Sequence, residues 1–186
     1  MKTIKLYYSI MTLQKYVLLL AVLFAPVHYG YMYGQSNIES SIKSNQEHIA
    51  VYDFDAIEPL LYTDSDTIHI INFWAMWCAP CVKELPILKA YEKKHPNVEV
   101  LLISMDFPEN IESELKPFLK AKGITSKVVM LDDPDANSWI DKIDPNWSGA
   151  IPFTIIFNKD KRRFYERSFE NIEDLEQEIN NTINNK

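Results

Sequence analysis

Both cysteines of the chain lie in Trp77-Cys78-Ala79-Pro80-Cys81. Two thiols at this spacing can close on each other as a disulfide and reopen by exchange with another, so the pair can carry two electrons. The spacing would also suit half of a zinc site, but a tetrahedral site needs about four ligands. There is no second cysteine pair, and His28, His48, His69 and His95 show no H-x-x-x-H spacing. No metal or cofactor is therefore expected. A c-type haem would need a histidine after the second cysteine, where this chain has Val82. The rival use of the thiols is to hold a soft ion such as Cu(I), with Met76 or Met105 available as a further ligand. With no cysteine left over to staple the fold, any disulfide here is the functional one.

The chemistry depends on where the thiols are held. An apolar, β-branched run over residues 68–74 precedes the motif, and a helical pattern over residues 80–95 follows it. Thiols at such a junction sit at a helix N-terminus, where unpaired N–H groups and the macrodipole favour the thiolate. Cys78, at the open turn, is the expected attacker, with a pKa depressed into the range of roughly 3.5 to 7.5. Cys81, one turn further in, is the expected resolving thiol. Pro80 fixes φ in the first helical turn and, with Ala79, shapes the motif. Trp77 is placed to cover the sulfurs, whereas strand alternation puts Phe73 and Trp74 in the core. Glu84 lies one turn beyond Cys81. It could sit beneath the site as a buried carboxylate of raised pKa that exchanges protons with Cys81. It could equally be a solvated side chain paired with Lys83 or Lys89, and spacing leaves both readings open.

The remaining elements follow from periodicity. Residues 49–54 and 128–131 read as short strands, 98–105 as a second buried strand, and 57–62 as a short helix or turn. Residues 110–122 form an amphipathic pattern stopped by Gly123, and 136–143 a shorter helix. Pro86 is expected to kink the helix after the cysteines. Residues 151–157 and 163–169 flank Asn158-Lys159-Asp160-Lys161 as an antiparallel hairpin, and Ile172, Leu175, Ile179 and Ile183 mark a closing helix. This order implies an α/β or α+β sheet with helices on both faces. Pro152 removes a ladder donor at the head of a central strand. A cis Ile151–Pro152 bond would present backbone groups to a substrate strand, while a trans proline at a strand start is the commoner arrangement. Trp139 and Trp147, beside Asp132-Asp133-Pro134-Asp135, are assigned a structural role, with a partner-binding rim as the other reading.

Residues 1–35 differ in texture. Lys2, Lys5 and Lys15 precede an uncharged apolar run over residues 16–27, then a segment with Gly and Tyr ending near Gly34-Gln35. That order is the one expected of a secretory signal, and the run is short for a membrane span of about 20 residues. Residues 1–35 are thus expected to be a signal peptide or membrane anchor, 36–47 a Ser- and Asn-rich linker, and 48–186 one folded domain. The net charge of −7 argues against nucleic acid as a partner.

With the motif placed after the first buried strand, the chain resembles the thioredoxin-like superfamily, and within it the exported thiol–disulfide oxidoreductases of the TlpA/ResA type. The matching residues are Asn72-Phe73-Trp74-Ala75-x-Trp77-Cys78-x-Pro80-Cys81, Glu84-Leu85-Pro86 and Ile151-Pro152. The resemblance implies a thioredoxin fold with a central mixed sheet, Cys78 as nucleophile and Cys81 as resolving thiol. It implies that Pro152 is cis and faces the disulfide, and that the Ile151 backbone pairs with an incoming strand. Cytosolic thioredoxins carry a buried acid at the position of Asn72, and the exported group has a glutamate matching Glu84 instead. The expected activity is reduction of protein disulfides outside the cytoplasm, of periplasmic type, by a monomer. A disulfide-containing protein is the expected substrate, and a membrane or exported thiol the electron donor. The N-terminal segment is a candidate membrane tether. A disulfide oxidant of the same fold is the variant reading.

Overall fold

A computed structural model describes residues 48–183; the segments assigned above to a signal or anchor and to a linker lie outside the described residues. The described part is built on six strands: β1 (Ala50–Tyr52), β2 (Ile68–Trp74), β3 (Val98–Ser104), β4 (Lys127–Leu131), β5 (Phe153–Phe157) and β6 (Arg162–Tyr165). They form one sheet in the order β1-β4-β3-β2-β5-β6, parallel from β1 to β2 and antiparallel from β2 through β6. The helices are α1 (Phe54–Ile57), α2 (Ala79–Lys94), α3 (Lys116–Lys122), α4 (Ala136–Ile143) and α5 (Ile172–Ile183).

β2 is central and buried on both faces over its last five residues, which is why its sequence is mostly apolar instead of alternating, with His69 and Asn72 the exceptions. Its side chains divide by parity. Ile70 and Trp74 join Leu85 and Leu88 of α2 and Leu175 and Ile179 of α5 in one core. Ile71 and Phe73 join Phe54 of α1 and Trp139 of α4 in a second core on the other face. The mixed sheet between two helical layers is thus the fold expected from the sequence.

Three elements differ from their expected form. β1 stops at Tyr52 instead of running to Phe54, because the Asp53 carboxylate accepts the Ala56 N–H at 3.0 Å and caps α1. The helical stretch ending at Gly123 divides into a 3₁₀ turn (Pro108–Asn110), a π turn (Ile111–Leu115) and α3. Pro117 lacks the N–H that a continuous ladder would direct to the Ser113 carbonyl. β6 ends at Tyr165, and the residues after it leave the sheet to bond side chains of α2 and α5. Pro86 lies on the exposed side of α2, and the helix continues through it.

Trp139 and Trp147 are buried in the second core, and their rings pack on Phe54, Phe73 and Phe153. They form no surface rim. No helix among the described residues is long and apolar enough to cross a membrane.

Candidate functional site

Cys78 is the N-cap of α2, and its Sγ accepts the Cys81 N–H at 3.3 Å. That donor is one of those left over at a helix start, and it points at the sulfur that would carry the thiolate. The two cysteines are joined as a disulfide. Their burial is unequal: Cys78 retains 6% exposure and Cys81 none. Cys78 is thus the less enclosed of the two. Ala79 and Pro80, in the first turn, are exposed.

The Ile151–Pro152 bond is cis. The Ile151 carbonyl oxygen lies 3.6 Å from Cys78 Sγ. Once the pair is reduced, a Cys78 thiol can donate to that oxygen. Pro152 is buried and Ile151 half-buried, so the chain entering β5 forms the wall opposite the disulfide. Trp77 is 66% exposed and projects from the rim.

Glu84, one turn beyond Cys81 on α2, is fully buried. Desolvation pushes its pKa from the ordinary 4.5 up to about 7, against three weaker opposing effects: the Phe169 N–H, the Asn72 amide and the positive charge of Arg167. Phe169 N–H donates to Oε2 at 2.9 Å, and Asn72 Nδ2 to Oε1 at 2.8 Å. The solvated, lysine-paired reading of Glu84 does not hold. Asn72 and Thr154 are partners in the β2–β5 register, and Asn72 Nδ2 also donates to Thr154 Oγ1 at 2.9 Å. Asn72 Oδ1 is buried and has no hydrogen-bond partner among the described residues. Once Glu84 holds a proton, turning the amide over gives that oxygen a donor.

Sequence reasoning missed four groups here. Thr154 and the Phe169 N–H complete the Glu84 network. Arg167 makes a two-pronged bond to Asp174, 2.8 Å on each arm, and reaches Glu178 at 3.1 Å. Asp106, at the end of β3, holds the approach to the motif: both carboxylate oxygens accept the Met76 N–H at 3.1 Å, and Ser104 Oγ donates to Oδ2 at 2.9 Å. Burial raises the Asp106 pKa, assisted by Glu114 and opposed by its hydrogen bonds to Ser104 and Met76. The available signal was Asn72, Ser104 and Thr154, three fully buried polar residues in the mostly apolar strands β2, β3 and β5. A buried polar group needs a partner nearby.

A mixed sheet with helices on both faces, a Cys-x-x-Cys disulfide capping the helix after the central strand, and a cis-proline opposite define a thioredoxin-like protein. The chain belongs to the AhpC/TSA family, whose model matches residues 58–162, more than half of its length. It is similar to sporulation thiol-disulfide oxidoreductase A of Bacillus subtilis (strain 168), with 32% identity over 63 residues, covering 33% of this chain and 38% of that one. It is also similar to the thiol-disulfide oxidoreductase ResA of Bacillus cereus, with 31% identity over 91 residues, 48% of each. The chain thus spans less than half the length of these two relatives. Among solved structures, it resembles a DsbF homologue from Corynebacterium diphtheriae, with a TM-score of 0.52 and 25% identity over 63% of this chain and 73% of that one.

Proposed function

We propose that the chain is an exported thiol–disulfide oxidoreductase that reduces protein disulfides by cycling Cys78 and Cys81 between dithiol and disulfide. The observation that carries this reading is the asymmetry of the pair: Cys78 caps the helix and is the less enclosed cysteine, while Cys81 is fully buried, as is Glu84 one turn further along α2. The names of the relatives in Bacillus support the same class of reaction. Export rests on the order of basic, apolar and Gly/Tyr-containing segments in residues 1–35.

The cycle balances in two exchanges. The Cys78 thiolate attacks one sulfur of the substrate disulfide; a mixed disulfide forms and the other substrate sulfur leaves as a thiolate. The Cys81 thiol then gives its proton to the Glu84 carboxylate and, as thiolate, attacks Cys78 Sγ. The second substrate thiolate leaves, and the substrate has gained two electrons from the pair. A carboxyl with a pKa of about 7 can hold and return that proton near neutral pH. Ile151 and Pro152 are the wall on which an extended substrate segment lies, and Trp77 is the exposed side chain beside it. A membrane or exported thiol then restores the dithiol.

The test has two parts. Reduced Cys81→Ser is expected to accumulate a mixed disulfide with a disulfide-bearing protein, and reduced Cys78→Ser to accumulate none. Equilibration of the wild-type pair with glutathione is expected to give a potential nearer −270 than about −120 mV, the reducing end of the range for this fold. Failure to trap a mixed disulfide would remove the oxidoreductase reading, and a potential near the upper figure would reverse its direction.

A further inference from the structure

Besides Trp77, the chain exposes another large aromatic side chain that the exchange does not use, on the stretch that follows β3. The stretch leaving β2 and the one leaving β3 run side by side: Trp74 and Ser104 are register partners, and the Met105 N–H donates to the Trp74 carbonyl at 2.8 Å. The Asp106 carboxylate then clamps the Met76 N–H. One residue beyond each clamped position stand Trp77, 66% exposed, and Phe107, 59% exposed. They are the two most exposed of the large apolar side chains in the described residues. One clamp fixes the backbone beneath both, so the two side chains can be covered at little further ordering cost on binding. Beyond Phe107 the chain turns acidic, with Glu109, Glu112 and Glu114 all exposed and Glu112 paired to Lys116.

We infer that Phe107, together with Trp77, forms a docking rim for a substrate segment that carries an apolar side chain next to its cysteine and a basic side chain beyond it. The inference rests on the oxidoreductase reading and adds to it the chemistry of the preferred substrate. The rim is continuous with the exchange site, because Met76 lies two residues before Cys78. The aromatic faces supply the apolar contact, and the glutamates select against an acidic flank, so charge complementarity names the occupant. Exposed aromatics in this position gain from being covered, and exclusion of water strengthens the contact around the exchanging sulfurs.

The experiment uses the reduced 186-residue chain and two peptides, each linked to glutathione through its single cysteine. One has leucine beside the cysteine and lysine beyond it; the other has serine and glutamate at those places. The wild type is expected to reduce the first about tenfold faster than the second. Phe107→Ser is expected to bring the ratio below about threefold, Phe107→Leu to keep most of it, and raising salt from about 50 to about 500 mM to lower it. Equal rates for the two peptides with the wild type, or an unchanged ratio in Phe107→Ser, overturn the rim while leaving the oxidoreductase reading standing. Reduction of neither peptide removes that reading and the rim with it. The thermal midpoint of Phe107→Ser, expected to match the wild type, separates loss of docking from loss of fold.

Discussion

At the residue scale, Glu84 is where burial and charge are in conflict. A carboxylate with no exposure, receiving two hydrogen bonds, has still not regained what water would give it, so its pKa rises to about 7. The sign of the consequence follows from proton linkage. The folded chain binds this proton more tightly than the unfolded chain, whose pKa is the ordinary 4.5, so the stability Glu84 contributes is complete below that value and is lost as pH rises through 7. For a group this deeply buried the loss is on the order of 3 kcal/mol. Glu84→Gln keeps an acceptor for the Phe169 N–H and carries no charge. It is expected to flatten the fall in urea midpoint of the oxidised protein between about pH 5 and about pH 8. The same variant should remove the inflection near neutral pH from the rate of mixed-disulfide resolution, since in the proposed cycle Glu84 takes the Cys81 proton. A wild-type slope retained in the variant would show that another group carries the proton.

The elements show how far the site could be read ahead of the fold. β2, the start of α2 and the strand after Pro152 announce themselves locally, through an apolar run, a thiol pair with proline, and a proline where a ladder donor is missing. The position of Cys78 follows from that alone. Glu84 needed more, because i+3 spacing from Cys81 puts it on a turn of helix but does not say which side is covered. What covers it is the Phe169 segment, 85 residues away in the chain, and the Asn72–Thr154 pair created by strand register. Such long-range partners leave no periodicity, only the oddity of polar residues in apolar strands. Pro117 was legible in principle but was outweighed by the amphipathic pattern around it. Gly123 is the element boundary that composition did identify: it closes α3 at φ 60°. A Cβ there would meet only the flexible end of Lys89, at 3.1 Å, so the strain of a left-handed residue decides the effect. Gly123→Ala is expected to cost about 1 kcal/mol in a denaturant titration and to leave the thiol potential unchanged. A neutral effect on stability would show that the helix end rearranges.

For the molecule as a whole, the redox state and the fold are two sides of one cycle. The described domain has no other disulfide, and the Cys78–Cys81 bond closes so short a loop that chain entropy contributes little. Any difference in stability between the oxidised and reduced forms must then come from what the fold does to the two thiols. Four groups act there: the Cys81 N–H and the helix dipole favour a thiolate at Cys78, whereas the buried Glu84 and the sealed position of Cys81 oppose charge beneath it. If the second pair of effects dominates, the dithiol is the less comfortable state, and the folded chain gives up electrons more readily than the unfolded chain does. The cycle fixes the size: every 30 mV by which folding lowers the potential adds about 1.4 kcal/mol to the stability of the oxidised form over the reduced form. A reductant of protein disulfides therefore has an oxidised form that unfolds at higher urea than its reduced form, by an amount the glutathione titration sets independently. A reduced form more stable than the oxidised form would mark the chain as an oxidant, with the helix dipole at Cys78 outweighing the burial at Cys81 and Glu84.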